Sequence, residues 1–291
     1  MQLQIDIEKL KSSFQIKSNG ELVTDWGINH FPDGQLQFWA GVQAGLWETG
    51  VSLKASISNP AELDVFNQMI EVLHVTDITI LYSYGARCDK VWTDTGKRFL
   101  ARVAFSFLNS VMAYQRRKST PVTVTVLSPH CHTYEPDSIS MHFFIPQEVL
   151  DNGYDTWIYP DRSAFKRFGH QQPKNVRGIF CKKTRDQVTG DIIEHTIDWP
   201  ETYVANRILV IDDLCDGGRT FVDIAQMLYS DKKVKWAGRG ATLDLYVTHG
   251  VFSGNVSHLT SRYDNIYVTN SLRSVDDVAQ DHSNIHVTNV W

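Results

Sequence analysis

The run Arg207-Ile-Leu-Val-Ile-Asp-Asp-Leu-Cys-Asp-Gly-Gly-Arg-Thr-Phe221 constrains the fold of this chain more than any other. Ile208 to Ile211 form a short apolar stretch, the pattern of a strand covered on both faces in a parallel sheet. Asp212 and Asp213 stand where that strand is expected to end. Gly217 and Gly218 allow a turn that brings backbone N–H groups close to an anion. From Thr220 to Ser230, the residues Phe221, Ile224, Ala225 and Leu228 recur at helical spacing, so a helix follows. A helix N-terminus fed by a glycine turn attracts phosphate. Carboxylates beside it suit ribose hydroxyls or a Mg²⁺ ion. The same run also suits a generic strand–loop–helix connection in an α/β protein.

The rest of the chain repeats the strand–helix alternation. Asn59-Pro60-Ala-Glu62 reads as an N-cap, a proline at the first helical position and an acid at the third. The helix after it places Leu63, Phe66, Met69, Ile70 and Leu73 at helical spacing. Asp77–Tyr82 reads as a strand. A helix is expected from about Thr95 to Tyr114, with Phe99, Val103, Phe107 and Val111 on one side, and Val122–Leu127 as the next strand. Asp151-Asn-Gly153 is a turn signal, followed by a strand at Thr156–Tyr159 and a helix opening at Ser163–Phe168. Val176–Lys183 and Asp191–Trp199 flank Asp186-Gln-Val-Thr-Gly190 as a β-hairpin. Strands are expected again at Thr242–Thr248 and Asn265–Thr269, and Met1–Ile7 suits a first strand. Strand–helix–strand order implies βαβ units and an α/β fold with mainly parallel sheets. We expect two domains, 1–148 and 149–291, with a soft boundary near residues 145–155.

Composition excludes several classes. The chain has 291 residues, room for two ordinary domains, and a net charge of −5. No chain-wide basic field draws it to nucleic acid or membrane, and no apolar run approaches the ~20 residues of a membrane span. Met1 to Lys11 lacks a signal-peptide core. The four cysteines, Cys88, Cys131, Cys181 and Cys215, form no Cys-x-x-Cys pair. That argues against a zinc knuckle or disulfide framework and for a reducing cytoplasm.

Several segments, in chain order, resemble the phosphoribosyl pyrophosphate (PRPP) synthetase family, whose two domains share the type I phosphoribosyltransferase fold. The Asp212 run resembles its ribose 5-phosphate loop. Phe31-Pro-Asp-Gly-Gln35 is similar to its Phe-x-Asp-Gly-Glu, which contacts the adenine of ATP from a neighbouring subunit. Tyr84-Gly-Ala-Arg-Cys-Asp-Lys90 is similar to its Tyr-Ala-Arg-Gln-Asp-Arg. Pro129-His130, Tyr159-Pro-Asp161 with Lys166-Arg167-Phe168, Lys183-Thr-Arg185 with Thr189-Gly190, Thr248–Gly254 and Val268–Ser271 follow in the family's order. The resemblance spans about residues 30 to 272.

It implies an ATP-dependent diphosphotransferase that moves the β,γ-diphosphoryl group of ATP to the C1 hydroxyl of ribose 5-phosphate, giving PRPP and AMP. By resemblance, Lys183 and Arg185 are catalytic, and Phe31, Asp33, Gln35, Arg87, Asp89 and His130 bind ATP. Asp212, Asp213, Asp216, Gly217, Gly218, Arg219 and Thr220 bind the sugar phosphate. His130 and Asp161 help hold Mg²⁺, the implied cofactor. The family also implies a dimer-based homo-oligomer, a hexamer.

Three departures bear on specificity. Gln35 stands where the family has Glu, and Cys88 where it has Gln. In the sugar loop, the family's Asp-Thr-Gly-Gly-Thr becomes Asp216-Gly217-Gly218-Arg219-Thr220. A hydroxyl is lost and a guanidinium is gained, and a guanidinium can hold a further phosphate with paired donors. That suits ADP-ribose, the acceptor of PRPP-synthetase-like proteins in phage NAD-rebuilding pathways. A catalytically silent regulatory relative would carry much of the same pattern, and so would a phosphoribosyltransferase in the second half. The Gly-Asn of the family's first strand is absent here.

Overall fold

The computed structural model describes residues 5–41, 50–83, 106–118, 121–130, 139–185, 192–199, 204–230 and 242–291. These divide into two compact units, the first ending at His142 and the second running from Phe143 to Val290.

The first unit opens with α1 (Ile7–Ser12); of the strand the sequence suggests at Met1–Ile7, residues 1–4 lie outside the described residues, and the described end gives way to helix at Ile7. Asp6 decides the difference: its carboxylate accepts from the Lys9 N–H at 3.1 Å and caps a helix whose Leu10 is buried. Then come β1 (Phe14–Ser18), β2 (Glu21–Leu22), β3 (Trp26–His30), β4 (Leu36–Ala40) and β5 (Val51–Ile57). They are followed by α2 (Pro60–Val72), β6 (Val75–Ser83), α3 (Ser106–Lys118), β7 (Thr123–Leu127) and β8 (Ser140–His142). The sheet order is β2-β1-β5-β6-β7-β8, parallel from β5 to β8 and antiparallel at β1. Strands β3 and β4 form a separate antiparallel ribbon. Helix α2 starts as its sequence dictates. Asn59 caps the Glu62 N–H, and Pro60 occupies the first turn. Its buried face carries Val65, Phe66, Met69 and Ile70, and Phe66 meets Phe107 of α3 edge-on at 6.0 Å. The part of the second expected helix from Thr95 to Phe105, with Phe99 and Val103, lies outside the described residues.

The second unit contains α4 (Gln147–Leu150), β9 (Thr156–Tyr159), α5 (Arg162–Phe168), β10 (Arg177–Arg185), β11 (Ile192–Ile197) and β12 (Arg207–Cys215). It continues with α6 (Arg219–Ser230), β13 (Thr242–Gly250), α7 (Ser257–Thr260), β14 (Asn265–Thr269), α8 (Ser274–Gln280) and β15 (Ile285–Thr288). The sheet order is β11-β10-β9-β12-β13-β14-β15. Every pairing is parallel except β10 with β11. β9 is buried along its whole length, and Ile208 to Ile211 of β12 are fully buried. A strand sandwiched between helical layers needs such an uninterrupted apolar run. α6 buries Phe221, Ile224, Ala225 and Leu228, the face its spacing predicts.

The chain enters at β9, adds β10 on one side, then crosses to add β12 on the other. This is the 2-1-3-4-5 order of doubly wound sheets. Ligands of such sheets bind beyond the carboxyl ends of the strands where the order reverses, here between β9 and β12. Among the described residues, no helix is long and apolar enough to cross a membrane.

Candidate functional site

At that switch point, β12 runs farther than its apolar core suggests. Asp212, Leu214 and Cys215 stay in register with Val247, His249 and Gly250 of β13. Both aspartates are therefore held on rigid strand backbone rather than in a loop. Asp213 is fully buried and Asp212 is largely so, with a side chain 15% exposed. The cation between them is Arg167 of α5, itself buried. Its Nη1 lies 3.4 Å from Asp213 Oδ1 and 3.6 Å from Asp212 Oδ1. The Asp213 N–H donates to Asp212 Oδ1 at 2.9 Å. Burial and then the Asp213 charge push the Asp212 carboxyl well above the usual carboxylate range, against the pull of Arg167. With Asp212 pushed toward its neutral form, one guanidinium faces two acids, and a further cation beside them would favour the ionised form of both.

Asp161 follows β9 at the same edge. Its Oδ1 caps α5, accepting from the N–H groups of Ser163 at 2.7 Å and Ala164 at 2.9 Å. Its charge also reaches Asp212. Arg167 belongs to the same short helix, so the capping of α5 sets where the guanidinium sits.

The turn after β12 is built by two glycines with different reasons to be glycine. Gly218 has φ +78°, and a Cβ there would lie 3.0 Å from Leu259 of α7. The backbone requires glycine, and Leu259 leaves a Cβ little room. Its carbonyl accepts from the N–H groups of Phe221 and Val222, each at 3.0 Å, which makes it the N-cap of α6. Gly217 lies outside the left-handed region, and a Cβ there would meet only Ser253 Oγ, at 4.0 Å, among the described residues. Neither backbone nor packing demands glycine there. Arg219 opens α6, is exposed, and has no ion-pair partner among the described residues. The N-terminus of α6, fed by this turn, suits an anion. Cys215 beneath the turn is buried, and burial followed by the Asp212 and Asp216 charges pushes its thiol far up, leaving it unreactive.

The neighbouring strand ends complete the edge. His249 of β13 is buried, with Nδ1 2.8 Å from Ser271 Oγ beyond β14. Asp216 accepts from Ser253 Oγ at 2.5 Å. The structure thus brings Asp161, Asp212, Asp213 and the turn from Asp216 to Thr220 to one sheet edge in the second unit. Sequence reasoning marks Arg167 only as the start of a basic helix. Its carboxylate partners lie more than forty positions away, and no local pattern joins them. Lys183 and Arg185 occupy the end of β10, paired in register with His195 and Ile192.

In the first unit, Phe31-Pro-Asp-Gly-Gln35 is the turn of the β3–β4 ribbon. The Phe31 N–H donates to Gln35 O, the Gln35 N–H donates to Asp33 Oδ1, and Gly34 has φ +91°. Phe31 is 43% exposed. His130 follows the carboxyl end of β7, just after Ser128. Ser128 is fully buried with φ +38°, and its N–H donates to His142 O at 2.8 Å. Such a backbone costs about 1–3 kcal/mol and marks a position fixed by its surroundings. Arg87 and Asp89 lie outside the described residues, as do Cys88 and Cys131. His130 and Asp161 belong to different units. Among the described residues, no group of three His, Cys, Asp or Glu side chains forms a ready metal site.

No protein-family model and no curated protein matches the sequence. Among solved structures, the chain is similar to the phosphoribosylpyrophosphate synthetase of Mycobacterium smegmatis, with a TM-score of 0.67 and 15% identity. The match covers 97% of this chain and 90% of that one. The chain therefore has the α/β fold of that synthetase, with two phosphoribosyltransferase-like, parallel-rich domains.

Proposed function

We propose that the protein is an ATP-dependent pyrophosphokinase acting on a ribose 5-phosphate unit, with PRPP and AMP as products. One observation carries this reading. At the switch point of the second sheet, a carboxylate pair held by buried Arg167 stands beside a glycine turn that opens α6. Carboxylates suit the vicinal hydroxyls of a ribose, and the turn suits its 5-phosphate.

The sugar supplies its own nucleophile. The C1 oxygen bonds to the β-phosphorus of ATP, the bond from that phosphorus to the α,β-bridging oxygen breaks, and AMP leaves while the hydroxyl proton is lost. Chemistry of this kind rests on in-line positioning and on neutralising charge spread over phosphoryl oxygens. Asp212 and Asp213 hold the ribose hydroxyls with Asp216 beside them, and the turn from Gly217 to Thr220 holds the 5-phosphate. Lys183 and Arg185 close over the transferred group. Phe31, Asp33, Gln35, Arg87, Asp89 and His130 serve the nucleotide.

Mg²⁺ fits this donor set. The ion usually takes only one or two protein carboxylates together with substrate phosphates and water, so no closed cage is needed. Asp212, whose carboxyl is pushed toward protonation in this environment, gains from a nearby cation. Asp161, at the same sheet edge, is the further candidate. When bound, Mg²⁺ neutralises the phosphoryl oxygens.

ADP-ribose is a second reading of the acceptor, and Gly217 favours it. This glycine is required by neither backbone nor packing, so its missing side chain leaves open space at the phosphate rim. Exposed Arg219 stands two residues on. A 5-phosphate extended by a further phosphate fits both features. A silent regulatory role is disfavoured because Lys183 and Arg185 are both present. Phe31 is exposed on its turn, open to a neighbouring-subunit contact, and the dimer-based homo-oligomer, a hexamer, rests on the family resemblance. The test is purified protein with Mg²⁺, ATP and either ribose 5-phosphate or ADP-ribose, scored for AMP. Acceptor-dependent AMP supports the reading, and its absence with both acceptors refutes it.

A further inference from the structure

The segment after β13 folds back onto the sugar-phosphate turn, and its geometry is specific. The N–H groups of Val251 and Phe252 both donate to Cys215 O, at 2.8 and 3.2 Å. Phe252 adopts φ +49°, an outlier for a bulky residue. Its ring lies against Gly250, where a Cβ would come within 2.4 Å of it. That reversal delivers the next two residues to the turn. Ser253 Oγ donates to Asp216 Oδ1 at 2.5 Å. Gly254 packs on the Gly217 backbone so closely that a Cβ would lie 2.6 Å from Gly217 O.

The hydroxyl–carboxylate bond is exposed at Ser253 and half-buried at Asp216. Hydrogen bonds at such solvated positions contribute little to folding. The reversal buries the Phe252 ring, but that burial does not require the exposed bond it also delivers, which points to a role beyond stability. A carboxylate held by this hydroxyl has its orientation set before any ligand arrives.

We infer that Ser253 is a positioning residue that fixes the Asp216 carboxylate for a sugar hydroxyl, and that Gly254 sets the height of the turn against it. The inference rests on the sugar-phosphate reading of this turn. It predicts an effect on acceptor affinity without an effect on the fold.

The test measures binding of ribose 5-phosphate and of ADP-ribose by calorimetry, without ATP, to the full chain and to Ser253→Ala, Ser253→Thr and Gly254→Ala. Thermal melts of the same four proteins accompany it. Ser253→Ala should weaken binding of the acceptor about tenfold with an unchanged melting temperature. Ser253→Thr, which keeps the hydroxyl, should restore most of that loss. Gly254→Ala should weaken binding at least as much, because its methyl must displace Gly217. Equal affinity in Ser253→Ala and the parent protein overturns the inference, as does a loss that Ser253→Thr fails to rescue. A parent protein that binds neither sugar phosphate overturns the sugar-phosphate reading first, and this inference with it.

Discussion

Arg167 is the residue on which the local electrostatics turns. Removing one partner of a buried ionic group costs about 3–5 kcal/mol, because the remaining charges lose their compensation. Arg167→Met should therefore lower stability by that order, which a denaturant melt measures, and should weaken sugar-phosphate binding as well. Asp212 gives a prediction with a definite sign. Its folded-state carboxyl titrates above its unfolded value, chiefly through burial and Asp213. Its stabilising contribution is thus complete below the ordinary carboxylate range and is lost as pH rises through the raised value. The melting temperature of the ligand-free protein, minus that of Asp212→Asn, should fall as pH climbs from the acid range toward neutrality. A difference that stays flat with pH would contradict the assignment. Arg219 tests the acceptor. Charge-assisted contacts contribute ~1.5–3 kcal/mol, so Arg219→Ala should raise KM for ADP-ribose roughly ten- to a hundredfold and leave that for ribose 5-phosphate nearly unchanged. Equal small effects would make Arg219 a surface charge and favour ribose 5-phosphate.

Among the elements, those with a strong local signal were legible. The uninterrupted apolar runs of β9 and β12 and the one-sided periodicity of α6 and α2 depend on burial that the sequence states directly. β12 outruns its apolar core because Asp212 to Cys215 remain paired with β13, and propensity does not report pairing. The β3–β4 ribbon was not legible as strands, although Asp33-Gly34 is a hairpin signal. Strand β1 pairs antiparallel with β5 across more than thirty residues of chain, and nothing local encodes that partner. The site was legible where it lies on one run, from Asp212 to Thr220. It was illegible where side chains meet from distant segments, as Arg167 and Ser253 do. The hairpin strand β10 carries the catalytic proposal. Lys183→Ala should reduce kcat by on the order of 10²–10³ while changing substrate KM little, because it meets charge developed in the transition state. An unchanged kcat in steady-state assays would remove Lys183 from the mechanism.

For the whole molecule, the shared fold with a PRPP synthetase extends over nearly the full chain, yet 15% identity leaves chemistry to be argued from residues. A fold of this kind hosts both diphosphoryl transfer to a sugar and phosphoribosyl transfer to a base, and the two differ in what happens to ATP. If the Phe31 turn completes a neighbour's nucleotide site, light scattering should find an oligomer, and activity should fall on dilution to monomer. A fully active monomer would contradict that arrangement.

Phosphorus NMR of one reaction mixture separates diphosphoryl transfer to the sugar from every other use of ATP. With Mg²⁺, ATP and ribose 5-phosphate or ADP-ribose, the protein should give AMP together with a new diphosphate ester on the sugar, formed in equal amounts and only when an acceptor is present. Appearance of ADP as the nucleotide product, or ATP left intact with both acceptors, would contradict it.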